Sequence, residues 1–197
     1  MKRKDFRHLE RLRVRWPEVD MQQIVFNGHY LAYVDTAVAG YWRALALPYQ
    51  ATFAQLDGDL FVRKATLDYL DAAQYDDQLE IGVRHESTGN SSLRFAAGVF
   101  RGEHLLVSAE LVYVFADPQR RIPASVPTAL RDVLSAFESG QSMLDVQVGS
   151  WAELGAPAQA IRHSVFVQEQ GIPAELEWDE ADADCVHALA LNRMGLP

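Results

Sequence analysis

Between Tyr30 and Leu45 only Asp35 and Arg43 carry charge at neutral pH, while apolar side chains recur at Tyr30, Val34, Ala37, Val38, Tyr41 and Leu45. That spacing marks one face of a helix. Leu31, Tyr33 and Trp42 extend the apolar surface onto other faces. A helix apolar nearly all round is expected to be buried, so the rest of the chain has to wrap it. A chain of 197 residues, 49% of them hydrophobic, is large enough to do so without staples.

The wrapper is legible as alternation. His8 to Trp16 sets Leu9, Leu12, Val14 and Trp16 against charged neighbours, a first strand with a slip near Arg11 that Pro17 ends. Asn27 is the expected N-cap of the central helix, its side chain accepting the Tyr30 amide. After Pro48, Tyr49 to Leu56 reads as a short helix and Asp57-Gly58-Asp59 as a turn. Strands follow over 60–70, around Leu79, Ile81 and Val83, around Leu93 to Val99, and from Leu105 to Phe115. Turns fall at 87–91 and at Arg101-Gly102-Glu103. Such short connections imply antiparallel neighbours. The expected class is α+β: one helix, then a long antiparallel sheet curled around it. Pro127 opens a further helix with Leu130, Val133, Leu134 and Phe137 on one face. Ser139-Gly140-Gln141-Ser142 is the expected boundary, giving domains 1–140 and 141–197. Beyond it, Trp151 to Gln168 reads as a helix, Gly171-Ile172-Pro173 as a break and Val186 to Leu191 as a strand.

Several function classes are excluded early. Net charge is −9, with the basic residues gathered at the N-terminus and the acidic ones near the far end, which argues against nucleic-acid binding. There is no phosphate-binding glycine loop, no Gly-x-Ser-x-Gly elbow and no apolar run long enough to span a bilayer. The six histidines have no His-x-x-x-His spacing, so no metal site is expected. Cys185, the single cysteine, lies among acidic residues that disfavour a thiolate. No disulfide can form within the chain, as suits a cytoplasmic protein.

What remains is Asp20, in a loop just ahead of the central helix. A helix N-terminus presents unpaired amides that stabilise an oxyanion, and a carboxylate beside them can serve as general base or nucleophile toward a carbonyl. An acidic residue before a helix is also ordinary dipole compensation, and position alone does not separate the two.

The segment Val14-Arg15-Trp16-Pro17-Glu18-Val19-Asp20-Met21-Gln22-Gln23-Ile24-Val25-Phe26-Asn27-Gly28-His29-Tyr30-Leu31 resembles the opening of hotdog-fold acyl-CoA thioesterases of the 4-hydroxybenzoyl-CoA and tol-pal-associated type. Phe61 to Tyr69, Tyr75 to Ile81 and Asp117 to Pro127 resemble later segments of that family, in order, so that the likeness covers about residues 8–138. It implies a hotdog fold and hydrolysis of an acyl-CoA with no added cofactor. It places Asp20 at the catalytic acid and Asn27 at the backbone amide that polarises the thioester carbonyl. It implies a homodimer or homotetramer with the site between subunits. Arg63, Lys64, Arg120 and Arg121 become candidates for the phosphates of coenzyme A. Two positions depart from the pattern: Gln23 replaces the usual loop glycine, and Glu18 the first aspartate.

Two other readings stay open. One is a module that binds acyl-CoA or an acyl carrier without turnover. The other is CoA-dependent acyl transfer through the tail, where Ala160 to Pro173, with Glu177, Asp179, Glu180, Asp182, Asp184 and His187, resembles the opening of a GNAT-type N-acetyltransferase. That family's phosphate-binding loop has no counterpart here, so the tail is expected to be a truncated and inert extension.

Overall fold

The computed structural model describes residues 1–178 and 180–195, so Asp179, Leu196 and Pro197 lie outside the described residues. The chain divides into two compact units, Met1–Gln141 and Ser142–Pro197. In the first, β1 (His8–Arg13) precedes α1 (Asn27–Ala44) and α2 (Tyr49–Gln55). Then come β2 (Asp59–Tyr69), β3 (Gln78–Thr88), β4 (Ser92–Arg101), β5 (His104–Ala116) and α3 (Thr128–Glu138). The strands form one five-stranded sheet in the order β1-β3-β4-β5-β2, antiparallel throughout. Gly102, at φ 61°, supplies the left-handed residue that the tight β4–β5 turn requires.

The core is built where α1 meets the sheet. Val34, Ala37, Tyr41 and Leu45 are fully buried, as are Leu79, Ile81 and Val83 of β3 and Leu93, Phe95 and Ala97 of β4. Phe95 meets Tyr41 and Tyr113 edge-on, with ring centroids at 5.6 and 5.7 Å. Phe6 also packs onto the sheet. Its ring lies on Gly82, where a Cβ would come within 2.3 Å of it, and meets Phe100 at 5.7 Å. Helix α3 closes one end. The Tyr41 hydroxyl donates to Glu138 Oε1 at 2.5 Å, and the His85 amide donates to the same oxygen at 2.9 Å. Arg7 lies over the Phe137 ring and donates to the Phe137 and Gln141 carbonyls, where a cation suits a helix C-terminus.

Four expectations need correction. Helix α1 is not covered all round: Leu31, Ala32, Asp35, Thr36, Ala39 and Arg43 form an exposed stripe, because the sheet lies against one side only. The N-cap is Phe26, without a side-chain cap, and Asn27 is the first helical residue. The chain turns one residue earlier because the Phe26 amide is taken by the Glu18 carbonyl at 2.9 Å. Strand β1 pairs with β3 without a slip and ends at Arg13, since Trp16-Pro17-Glu18 forms a 3-10 turn that leaves Trp16 exposed.

The fourth correction concerns the second unit, which contains β6 (Leu144–Gly149), α4 (Trp151–Arg162), a π-helical turn over His163–Glu169, the short α5 (Ala174–Glu177) and β7 (His187–Asn192). β6 pairs antiparallel with β7. The sequence reading placed no strand at 144–149, although Leu144, Val146 and Val148 alternate with Asp145 and Gln147.

Replacing Tyr41 with Phe removes one of the two donors at the Glu138 carboxylate. A loss of about 1–3 kcal/mol is expected, read as a lower urea midpoint at unchanged slope. An unchanged midpoint would show that the bond contributes nothing.

Candidate active site

The loop ahead of α1 is a closed structure. Val19 and Val25 form an antiparallel bridge, the Asp20 amide donates to the Ile24 carbonyl at 2.9 Å, and the Gln23 amide donates back to the Asp20 carbonyl at 2.9 Å. Asp20 Oδ1 accepts the Gln22 amide at 2.8 Å, a side-chain turn that orients the carboxylate. Gln23 closes the loop at φ 63°. The departure from glycine therefore falls on a left-handed residue, which costs a side-chain-bearing residue about 1–2 kcal/mol.

Two tyrosines of α1 anchor the ground around this loop. The Tyr33 hydroxyl donates to Glu18 Oε2 at 2.7 Å. Tyr30, one turn earlier, accepts the Ala73 amide at 2.8 Å and so holds the segment between β2 and β3. The loop and that segment are also joined directly: the Val25 amide donates to the Ala73 carbonyl at 2.8 Å, and Ile24 bridges Gln74. Arg101 reinforces the segment from behind, donating to Asp77 at 2.8 Å and to the Ala72 carbonyl at 3.4 Å.

Between these walls lies a cavity of about 420 Å³ bordered by Asp20, Val25, Asn27, Tyr30, Tyr69 and Asp71. Asp20 and Asn27, singled out from the sequence, thus face one cavity. Tyr69 donates to the Asn27 carbonyl at 3.2 Å, tying β2 to the start of the helix. Among the described residues no acceptor takes the Asn27 or Gly28 amide, whereas the His29 amide is used by Phe26 at 2.9 Å. Two open N–H groups thus stand at the head of an eighteen-residue helix, where unpaired amides favour negative charge. On its other side Asp20 borders a second depression of about 610 Å³, with Trp16, Gln74 and Tyr75.

Ionisation follows from these contacts. Burial alone would raise the Glu18 carboxyl, but the Arg15 amide, the Arg15 guanidinium and the Tyr33 hydroxyl outweigh it and hold Glu18 below the usual carboxylate range. Burial, reinforced by Glu18, pushes the Tyr33 hydroxyl up, so it stays a donor. The Ala72 amide, with His104 and Arg101, keeps Asp71 low.

The basic candidates are not brought together with Asp20 in one chain, since none of them borders its cavity. Arg63 is the extra residue of a bulge in β2, and Lys64 pairs with Glu110 at 2.9 Å. Arg120 and Arg121 sit exposed on the turn after β5, where Asp117 accepts the Gln119 and Arg120 amides. Among the described residues no cluster could hold a metal, and no helix is long and apolar enough to cross a membrane. Glu18, Tyr33, Tyr69 and Asp71 were missed as site residues. The advance signals were the placing of Tyr30 and Tyr33 three apart on the helix and of Glu18 where the resembled family has its first aspartate.

Fold and site together define the class. A five-stranded antiparallel sheet against one long helix, with the cavity at the helix head, is the hotdog arrangement, and residues 22–108 match the thioesterase superfamily. That match lies wholly within the first unit. The chain is similar to the acyl-CoA thioester hydrolase YbgC of Escherichia coli and of Shigella flexneri, 29% identical over 120 residues, which is 60% of this chain and 89% of the relative. Among solved structures, the PA5185 protein of Pseudomonas aeruginosa is 27% identical with a TM-score of 0.61, covering 72% of this chain and 98% of its own. A thioesterase of Thermus thermophilus, solved with coenzyme A and zinc, is 25% identical with a TM-score of 0.61, covering 71% and 99%.

Replacing Gln23 with Gly relieves the left-handed strain and loses a little to unfolded-chain entropy. A net gain of about 0.5–1 kcal/mol is expected, while Gln23→Val should lose at least as much. Equal denaturation midpoints for all three proteins would contradict the strain.

Proposed function

We propose that the protein hydrolyses acyl-CoA thioesters in the cavity at the head of α1. The observation that carries this reading is that Asp20 and Asn27 border one cavity at the helix head, where the Asn27 and Gly28 amides are left open, in a unit that matches the thioesterase superfamily over 22–108. Relatives named acyl-CoA thioester hydrolases, and a similar structure that holds coenzyme A, point the same way. The thioester carbonyl oxygen sits against the two amides, which stabilise the negative charge that develops on it. Asp20 either removes a proton from the attacking water or attacks the carbonyl carbon itself. The carbon–sulfur bond then breaks and coenzyme A leaves as a thiolate, giving the free acid directly when water attacks, or an acyl–Asp20 anhydride that a water then hydrolyses to the free acid and regenerated Asp20. A thiol with a pKa of about 8.5 is a good enough leaving group that no strong acid is needed, which suits a cavity whose other carboxylate, Asp71, is occupied by the Ala72 amide and His104.

A second copy of the chain completes the site in this reading. Strand β2 is one of the two sheet edges and exposes Phe61, Val62 and Tyr69, with Leu70 exposed just after it, and α1 turns Leu31 and its exposed stripe to solvent. Pairing two β2 edges would cover these residues and relieve a long exposed edge. It would also bring basic residues of one protomer toward the cavity of the other. Arg63, Lys64, Arg120 and Arg121 are assigned to the coenzyme A phosphates on that basis.

A panel of aromatic and aliphatic acyl-CoAs tests the activity by release of free thiol. Wild type should hydrolyse at least one of them, and Asp20→Asn should lower kcat by about 10²–10⁴-fold. Binding without release would favour the non-catalytic module, and equal rates in Asp20→Asn would remove Asp20 from the mechanism. Sedimentation tests the pairing: wild type should run as a dimer or larger, and Phe61→Asp combined with Val62→Asp should shift it toward monomer. A monomeric wild type would overturn it.

A further inference from the structure

The buried carboxylate of Glu18 has no place in the mechanism above, yet it is the most fully engaged acidic group near the cavity. It retains only 3% of its exposure. Oε1 accepts Arg15 Nε at 2.8 Å and Nη2 at 2.5 Å. Oε2 accepts the Arg15 backbone amide at 2.7 Å and the Tyr33 hydroxyl at 2.7 Å. Its own backbone carbonyl accepts the amide of Phe26, the helix N-cap, at 2.9 Å. One residue thus grips the chain before the loop, the chain after it, and the body of α1 seven residues beyond the N-cap.

A charge taken out of water is tolerated only when such partners surround it, and a surface salt bridge would have served stability at less risk. The placing suggests what the arrangement is for. Residues 18 and 26 close the base of the loop, and Asp20 lies inside it. Inside the loop, backbone bonds and the Asp20–Gln22 turn fix its shape, and its later half is tied to Ala73 and Gln74, which Tyr30 joins to α1, so that Glu18 supplies the direct tie to the helix on the side that enters Asp20. The carboxylate of Asp20 lies within the loop, and the open amides at Asn27 and Gly28 lie beyond its closing bond. Misplacement by about 1 Å is enough to lower rates by 10²-fold.

We propose that Glu18 is a positioning residue for the reaction: with Tyr33 and Arg15 it locks the Asp20 loop onto α1 and holds the carboxylate in register with the amides at the helix head. This rests on the hydrolase reading for its catalytic part, and on geometry alone for the lock. The Glu18 side chain reaches the Arg15 amide at the start of its own 3-10 turn and the Tyr33 hydroxyl together.

The test uses the full chain and three variants: Glu18→Gln, Tyr33→Phe and Glu18→Asp. Hydrogen exchange of the segment 19–29 is followed by mass spectrometry beside that of 34–44 as an internal control. Glu18→Gln and Tyr33→Phe should each exchange at least tenfold faster over 19–29 with 34–44 unchanged, and Glu18→Asp should fall between. Unchanged exchange in both would overturn the lock. On an acyl-CoA that wild type hydrolyses, measured well below each variant's unfolding temperature, kcat should fall 10- to 100-fold while KM moves less than threefold. The double variant Glu18→Gln/Tyr33→Phe should be no slower than the slower single variant, and Glu18→Asp should recover part of kcat. A loosened loop with wild-type kcat would leave Glu18 a merely structural residue and overturn the proposal. If wild type releases no thiol from any acyl-CoA, the hydrolase reading and the catalytic half of this proposal fall, while the exchange result still decides the lock.

Discussion

Helix α1 has two demands to meet along one axis. Its middle must bury Val34, Ala37 and Tyr41 against β3 and β4 tightly enough to organise the sheet. Its first residues must stay uncovered so that their amides remain open. The chain meets both by letting the sheet cover one side of the helix and by giving the N-terminus a loop that folds on itself. Tyr30 and Tyr33 stand at the changeover. Each is buried in the manner of a core residue, yet each spends its hydroxyl on a wall of the cavity, Tyr30 on Ala73 and Tyr33 on Glu18. The packing that holds the sheet together is therefore the packing that aims the site.

Much of this was legible in the sequence because it rests on periodicity. The near-uncharged helix and the alternation through Leu79, Leu93 and Leu105 fix the order and type of elements, and the short turns fix their antiparallel pairing. Asp20 was legible as a candidate by its position before a helix, and as the one carboxylate left once metal and nucleophile patterns had been set aside. The helix was misjudged at its edges. Apolar composition reports that a surface avoids water without saying what covers it, so the stripe through Leu31, Asp35 and Ala39 read as buried when this chain leaves it open. The N-cap was misplaced because a backbone bond from Phe26 to Glu18 outweighs the side-chain preference of Asn27.

What could not be read is long-range polar pairing. Glu18 looks like any acid beside an arginine until Tyr33 is found against it, fifteen residues away. Asp71, Arg101 and Asp77 are scattered through the chain and meet only because β4 runs beside the segment that follows β2. The strain at Gln23 is likewise a property of φ and not of residue type; a glycine there would have announced it. The second unit repeats the lesson on a smaller scale. Arg162 is an unremarkable helical residue in sequence, but it gathers Glu177 at 2.6 Å and Asp182 at 2.7 Å and lies over Trp178, so two acids of the acidic tail are internal partners in that unit.

The central claim is that a thioester carbonyl is held by the two open amides at the head of α1. Backbone NMR with a non-hydrolysable thioether analogue of an acyl-CoA addresses it without turnover, since it reports on the amides themselves. The account predicts that the largest saturable amide shifts fall on Asn27 and Gly28, with smaller ones at Asp20, Gln22 and Tyr69. Saturable binding that leaves Asn27 and Gly28 unshifted, with the changes gathered elsewhere in the chain, would contradict it.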